Sequence, residues 1–343
     1  MFIDIQNNDL YNINKKNTLE LLKNKSISLD TYNKWIYIID TFKNDQKKIY
    51  KTIYRYKFNK NLHIYNIIDI NEPNFIILCS GQSNAGGWGS EYDHEHPFDQ
   101  PHPSIQSYNV MLKKWVIADL NNESLGHKTM CRNPGSNTFV FQFAHHLLKN
   151  YPGIKPGIIN VCDGGKPISN WSIFDKNEKF YDENYRTSQL TNKKYPPGFI
   201  FEQILDIYNE AMLQLSTFSN KKVNVVLWHQ GESDNIFHSN LEYFQIAFNK
   251  VIQQFSNIDT EHLTPFIAGT ILNYYEKNTN SDPYNDIIRN KNNNKFYSFC
   301  ELSNLESLDD KLHFTTESIR TAGQLYFDEY QKLTKLLINN DFI

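Results

Sequence analysis

The chain has 343 residues, of which 40% are apolar, including 23 Phe and 21 Tyr, enough for the core of one large domain or two smaller ones. A net charge of -3 at pH 7 gives no general attraction for nucleic acid. No apolar run approaches the roughly 18 residues of a membrane-spanning helix, and Met1 to Asp9 lacks the basic and apolar regions of a signal peptide, so a soluble cytoplasmic protein is expected.

Residues 1–70 differ from the rest. Residues 1–73 carry 12 Lys/Arg against 8 Asp/Glu. Thr18 to Leu22 can open a helix, and the aromatic run from Tyr32 to Phe42 suits strand or helix. Lys47 to Tyr65 alternates basic with apolar residues, as a half-exposed strand or hairpin does. The segment reads as an N-terminal appendage before a main domain of residues 71–343. Its basic-aromatic mixture could bind a polyanion or glycan, but the favoured reading is a surface that packs on the main domain or on another subunit.

From Asn74 the pattern becomes regular. Phe75 to Cys79 is a continuous apolar run, suited to a strand buried on both faces. Ser136-Asn137-Thr138 can cap a helix carrying Val140, Phe141, Ala144, Leu147 and Leu148 at helical spacing, and Pro134-Gly135 leads into it. Gly157 to Cys162 is a second strand. Ser172 to Pro197 is a long polar stretch of the kind that forms a lid or binding loop. Phe199 to Leu215 reads as helix, Val223 to Trp228 as strand, Leu241 to Phe255 as helix, and Pro265 to Thr270 as strand. Lys291 to Lys295 is a polar tip, Lys295 to Cys300 a fifth strand, and Thr316 to about Leu336 a last helix. Alternating strands and helices predict a mostly parallel, doubly wound α/β sheet. The four cysteines, at 79, 131, 162 and 300, have no metal-ligand spacing, and three of them end apolar runs as buried free thiols do.

In such a sheet the ligand crevice lies at the carboxyl ends of the strands, and four polar clusters fall at those ends. Gly81-Gln82-Ser83-Asn84 follows the first strand, where a serine opening a helix can expose its hydroxyl beside the N–H groups of the helix start; taken alone, Ser83 also reads as a helix cap. Asp163-Gly164-Gly165 offers backbone N–H donors unobstructed by side chains. In His229-Gln230-Gly231-Glu232, Gln230 has an amide that can donate to an oxyanion, and His229 is a rival base. Asp309-Asp310-Lys311-Leu312-His313 puts a carboxylate three residues from a histidine, so that Asp310 can brace the ring of His313 while it takes a proton from Ser83. His94, His96 and His102 lie in a proline-rich loop without ligand spacing, and no metal is expected there.

These clusters, in this order, resemble the SGNH-hydrolase superfamily, and within it the sialate O-acetylesterase and acetylxylan esterase-like branch. The resemblance spans roughly residues 74–330. It rests on the Gly81 to Asn84 run, on Gly164-Gly165 with Trp171 beyond, on Trp228 to Asp234, and on Asp310 to Phe314. It implies a three-layer α/β/α sandwich with a flavodoxin-like sheet, and hydrolysis of O-acetyl groups on carbohydrate without metal or cofactor. It also implies Ser83 as nucleophile, His313 as base, and Asp310, or alternatively Glu232, as the orienting acid. The oxyanion donors would be the Ser83 N–H, Gly164 or Gly165, and Gln230. Asn84, Lys166 and Trp171 are candidate substrate contacts. Lys166 stands where the family usually has Thr or Ser. A silent carbohydrate-binding or structural protein on the same scaffold, and a lipase or thioesterase of the same superfamily, are the alternatives.

Overall fold

The computed structural model describes residues 3–4, 25–30, 35–43, 49–59, 64–69, 72–110, 112–120, 136–180, 186–187, 194–195, 198–215, 222–259, 263–273, 280–290 and 294–339. The chain divides into two compact units, Met1–Glu72 and Pro73–Ile343. In the first, β1 (Ile3–Asp4), β2 (Lys25–Asp30), β3 (Trp35–Lys43), β4 (Ile49–Asn59) and β5 (Ile64–Asp69) pair in chain order as an antiparallel sheet. The aromatic run that suited strand or helix is therefore strand. Thr18 to Leu22 lies outside the described residues.

The second unit is built on a seven-stranded sheet. Its strands are β6 (Phe75–Gly81), β7 (Gln106–Asn109), β8 (Lys114–Ile117), β9 (Pro156–Cys162), β12 (Val223–His229), β13 (Phe266–Gly269) and β14 (Tyr297–Cys300), with β10 (Arg186–Thr187) and β11 (Lys194–Tyr195) forming a separate short pair. The order is β14-β13-β12-β6-β9-β7-β8, parallel throughout except for the antiparallel β7–β8 edge. That edge hairpin was not visible in the sequence, because Gln106-Ser107-Tyr108-Asn109 has neither an apolar run nor clear alternation. The helices are α1 (Phe139–Asn150), α2 (Phe199–Leu213), α3 (Glu232–Ile236), α4 (Leu241–Ser256), α5 (Asp282–Arg289) and α6 (Thr316–Asn339). Thr138 caps α1 by accepting from the N–H of Phe141 at 3.3 Å, and Asn240 caps α4 by accepting from Tyr243 at 3.1 Å.

The continuous apolar runs follow from burial on both faces of the sheet. Along β6, Ile76 and Leu78 join one core with α2, α4 and α5, while Phe75, Ile77 and Cys79 join a second core with α1 and α6. Each core separates one helical layer from the sheet, which makes the three-layer α/β/α sandwich. Cys79, Cys162 and Cys300 are buried free thiols, whereas Cys131 lies outside the described residues. Among the described residues no helix is long and apolar enough to cross a membrane.

The topology selects one place for a site. From β6 the chain lays β7 and β8 at one edge and returns to place β9 beside β6, then crosses to the other side with β12, β13 and β14. Such a reversal opens a crevice at the strand ends. The register lines up those ends: Gly81 pairs with Cys162 of β9 and with His229 of β12. Three of the polar clusters therefore leave the sheet side by side.

Candidate active site

Residues 83–89 form turns rather than the helix expected to open at Ser83, and each flank of β6 holds the segment that leaves it. The Gln82 N–H donates to the His229 carbonyl at 3.0 Å, and its side-chain Oε1 accepts from the N–H of Ser233 at 3.2 Å. On the other side, the Asp163 N–H donates to the Gly81 carbonyl at 2.9 Å. A Cβ at Gly164 would sit 3.4 Å from the Ser83 Cβ, so glycine lets this backbone come up against the serine. Among the described residues, the N–H groups of Ser83 and Gly164 donate to no protein acceptor. Gly165, by contrast, is exposed, and a Cβ there would meet nothing within 4 Å.

His313 arrives from a turn beyond β14. Lys311 takes a left-handed φ of 57° there, and the Leu308 N–H donates to the His313 carbonyl at 2.7 Å. Asp310 Oδ1 accepts from the N–H groups of Leu312 and His313, both at 2.9 Å, while Oδ2 lies 2.6 Å from His313 Nδ1. A carboxylate oxygen only accepts, so the ring proton sits on Nδ1 and Nε2 is left as an acceptor. Ser83 Oγ lies 2.9 Å from that Nε2. Burial pushes the Asp310 carboxyl up, but the hydrogen bonds from the His313 ring and from the two N–H groups outweigh it and hold the carboxyl below its ordinary range. Ser83, His313 and Asp310 thus form a continuous line of hydrogen-bonding groups.

Glu232, the alternative acid, faces elsewhere. Its Oε1 lies 2.8 Å from Nε2 of the fully buried His229 and accepts from Asn84 Nδ2 at 2.6 Å. Burial raises this carboxyl, but His229 and Asn84 outweigh burial and hold it below its ordinary range. The ring that was a rival base is therefore sealed in the core against Phe314 and Phe139, with ring centroids 5.3 and 6.3 Å away.

Asn84 and Trp171 are not free to meet a substrate, contrary to expectation. Asn84 is fully buried; besides Glu232 it donates to the Leu312 carbonyl at 3.0 Å and accepts from the Phe314 N–H at 3.0 Å. It grips the backbone on both sides of His313, which ties that loop to the serine turn. Trp171 is also fully buried; its indole donates to Ser80 Oγ at 3.1 Å, and it packs edge-on against Trp228. Both residues lie in the motifs that carry the family resemblance, and only the packing shows which way they point.

Gln230 also departs from expectation. Its amide donates to Asp234 Oδ2 at 2.5 Å and to the Lys166 carbonyl at 3.3 Å, which leaves neither hydrogen for an oxyanion. Burial pushes the Asp234 carboxyl up to about 6 despite donors from Gln230 and from Ile168. Lys166 is half-buried, two residues beyond Gly164. Sequence reasoning passed over Trp88, which stands 41% exposed with its ring centroid 6.1 Å from that of His313; a bulky aromatic inside the run Gly86-Gly87-Trp88-Gly89 was the available signal.

From Ser172 to Phe180 the expected lid stretch is described, and Phe174 and Phe180 pack on Tyr243 of α4. The residues around the β10–β11 pair, like Pro134-Gly135 and the Lys291 to Asn293 tip, lie outside the described residues. Among the described residues no group of three or more His, Cys, Asp or Glu is arranged to hold a metal ion, and His96 faces Asp99 at 3.4 Å.

Residues 73–332 match the model of the family described as carbohydrate esterase, sialic acid-specific acetylesterase. The chain belongs to this family. It is an enzyme of the carbohydrate O-acetylesterase class, with its catalytic fold in the second unit. Solved structures with the same fold include a protein of Arabidopsis thaliana, with TM-score 0.55 at 20% identity over 76% of this chain and 98% of the other. NanS follows with TM-score 0.53 at 17% identity over 77% and 98%. A carbohydrate acetylesterase from Xanthomonas citri has TM-score 0.51 at 13% identity over 88% and 68%. At these identities the likeness concerns the fold of the esterase, not its substrate. No match was found among curated protein sequences.

Proposed function

We propose that residues 73–343 form a serine O-acetylesterase domain that removes acetyl groups from carbohydrate through an acetyl-Ser83 intermediate. The observation that carries this reading is the line Ser83 Oγ, His313 Nε2, His313 Nδ1, Asp310 Oδ2, with steps of 2.9 and 2.6 Å, at the switch point of the sheet.

Ser83 Oγ attacks the acetyl carbonyl carbon while its proton passes to His313 Nε2. Asp310 holds the ring in the tautomer that accepts this proton and stabilises the imidazolium that results. The oxyanion develops toward the N–H groups of Ser83 and Gly164, which have no other acceptor to leave. The ester bond then breaks. The sugar oxygen leaves with the proton from Nε2, and the acetyl group remains on Ser83. A water molecule gives a proton to His313 and attacks the acetyl carbon. Ser83 departs with that proton, and acetate is released.

Acetate release from O-acetylated saccharides by purified Ser83→Ala and by wild type tests the reading. The variant is expected to lose about 10⁶-fold in kcat. Full activity in Ser83→Ala would end it.

A further inference from the structure

In the proposed reaction the departing sugar oxygen must lie within hydrogen-bond reach of His313 Nε2. The sugar ring bearing that oxygen therefore occupies the space beside the imidazole. Trp88 borders that space, 41% exposed, with its ring centroid 6.1 Å from the imidazole and its plane tilted by 39°. Among the described tryptophans near the site, Trp171 and Trp228 are fully enclosed, whereas Trp88 is 41% exposed.

The backbone around Trp88 is braced. Its N–H donates to the Ser83 carbonyl at 3.0 Å. Gly87 and Gly89 have φ of 76° and 78°, which side-chain-bearing residues rarely adopt. A Cβ at Gly87 would meet the Asn137 carbonyl oxygen at 1.8 Å, and one at Gly89 would meet Leu308 Cδ1 at 2.5 Å. Ser90 Oγ is 2.7 Å from both the Gly87 and the Asn137 carbonyl oxygens. The loop is wedged between the α1 entry and the His313 loop, and it leaves Trp88 partly exposed.

We infer that Trp88 is the sugar platform of this esterase: the axial C–H face of an acetylated pyranose lies on its indole and places the leaving oxygen at His313 Nε2. This rests on the proposed roles of Ser83 and His313. The chemistry suits the ligand, because a pyranose has polar edges and an apolar C–H face that an indole ring can cover. A small acetate ester has no such face and gains little from the indole. Trp88 is thus a specificity residue, which favours sugar acetates over simple alkyl acetates.

The test compares kcat/KM of wild type, Trp88→Ala and Trp88→Phe on an O-acetylated methyl pyranoside and on ethyl acetate. Trp88→Ala is expected to lower the ratio of pyranoside to ethyl acetate activity by about tenfold, mainly through KM, and Trp88→Phe to restore part of it. Equal losses on both substrates would overturn the proposal, because Trp88 would then be supporting His313 alone; so would an unchanged ratio. In the Ser83→Ala background, pyranoside binding is expected to change tryptophan fluorescence, and that change should vanish on adding Trp88→Phe; a signal that persists also overturns the proposal. Retention of activity by Ser83→Ala would count against the nucleophile assignment, and the fluorescence titration would still report on the platform.

Discussion

Two histidine–carboxylate pairs lie close together in this molecule with the same sequence spacing of three: His313 with Asp310, and His229 with Glu232. In the first, one ring nitrogen meets a carboxylate and the other meets Ser83. In the second, one nitrogen meets a carboxylate and the other, Nδ1, has no protein partner and is enclosed. The first pair is partly open, with 12% of the His313 side chain and 47% of the Asp310 side chain exposed, while His229 is wholly enclosed and Glu232 nearly so. A base needs access to a reacting proton, which the enclosed His229 lacks. Spacing cannot separate the two cases. Asn84 joins them, since one side chain touches Glu232 and the backbone on both sides of His313.

The strongest way to break this comparison is Asp310→Asn against Glu232→Gln. Asp310→Asn is expected to cut kcat by about 10²- to 10⁴-fold with the fold intact. Glu232→Gln should instead fall on stability, by about 1–3 kcal/mol in denaturant unfolding, because it weakens a buried charge-assisted bond. If Glu232→Gln matched the kcat loss of Asp310→Asn with unchanged stability, the buried pair would be part of the chemistry.

Asn84→Ala sharpens the link between the pairs. It removes the grip on Leu312 and Phe314, so kcat should fall about 10- to 100-fold with little change in KM, alongside a loss of about 1–3 kcal/mol in stability. A variant with wild-type kcat would show that the His313 loop is held without Asn84.

The smallest expected effect concerns Asp234, which holds the Gln230 amide. Its folded pKa of about 6 lies above its ordinary value of 3.8. The folded state therefore keeps a proton that the unfolded chain loses between those values, and stability should decline as pH rises from about 4 to about 6, then level off. Asp234→Asn should flatten that part of the stability profile, as read by thermal unfolding across the pH range. An unchanged slope would assign it to another group.

Much of this was legible in the sequence. Five of the six strands in parallel pairings announced themselves as largely apolar runs, because a strand covered on both faces is mostly apolar. The edge hairpin of β7 and β8 did not, because short edge strands owe their conformation to a neighbour rather than to their own pattern. Residue type and position at strand ends singled out Ser83, His313 and Asp310, whose side chains the structure brings within hydrogen-bonding distance of one another. Asn84, Trp171 and Gln230 were misread because a polar or aromatic group in a motif looks the same in sequence whether it faces substrate or core.

The sequence by itself determined the layered α/β architecture and the chemistry within reach, since periodicity and residue type are local properties. Only the tertiary structure decided which histidine faces Ser83, which carboxylate braces it, and which tryptophan stays partly exposed. Those outcomes depend on side chains from strands far apart in the chain, brought into register by the Gly81–Cys162 and Gly81–His229 pairings, and on burial that local spacing does not encode.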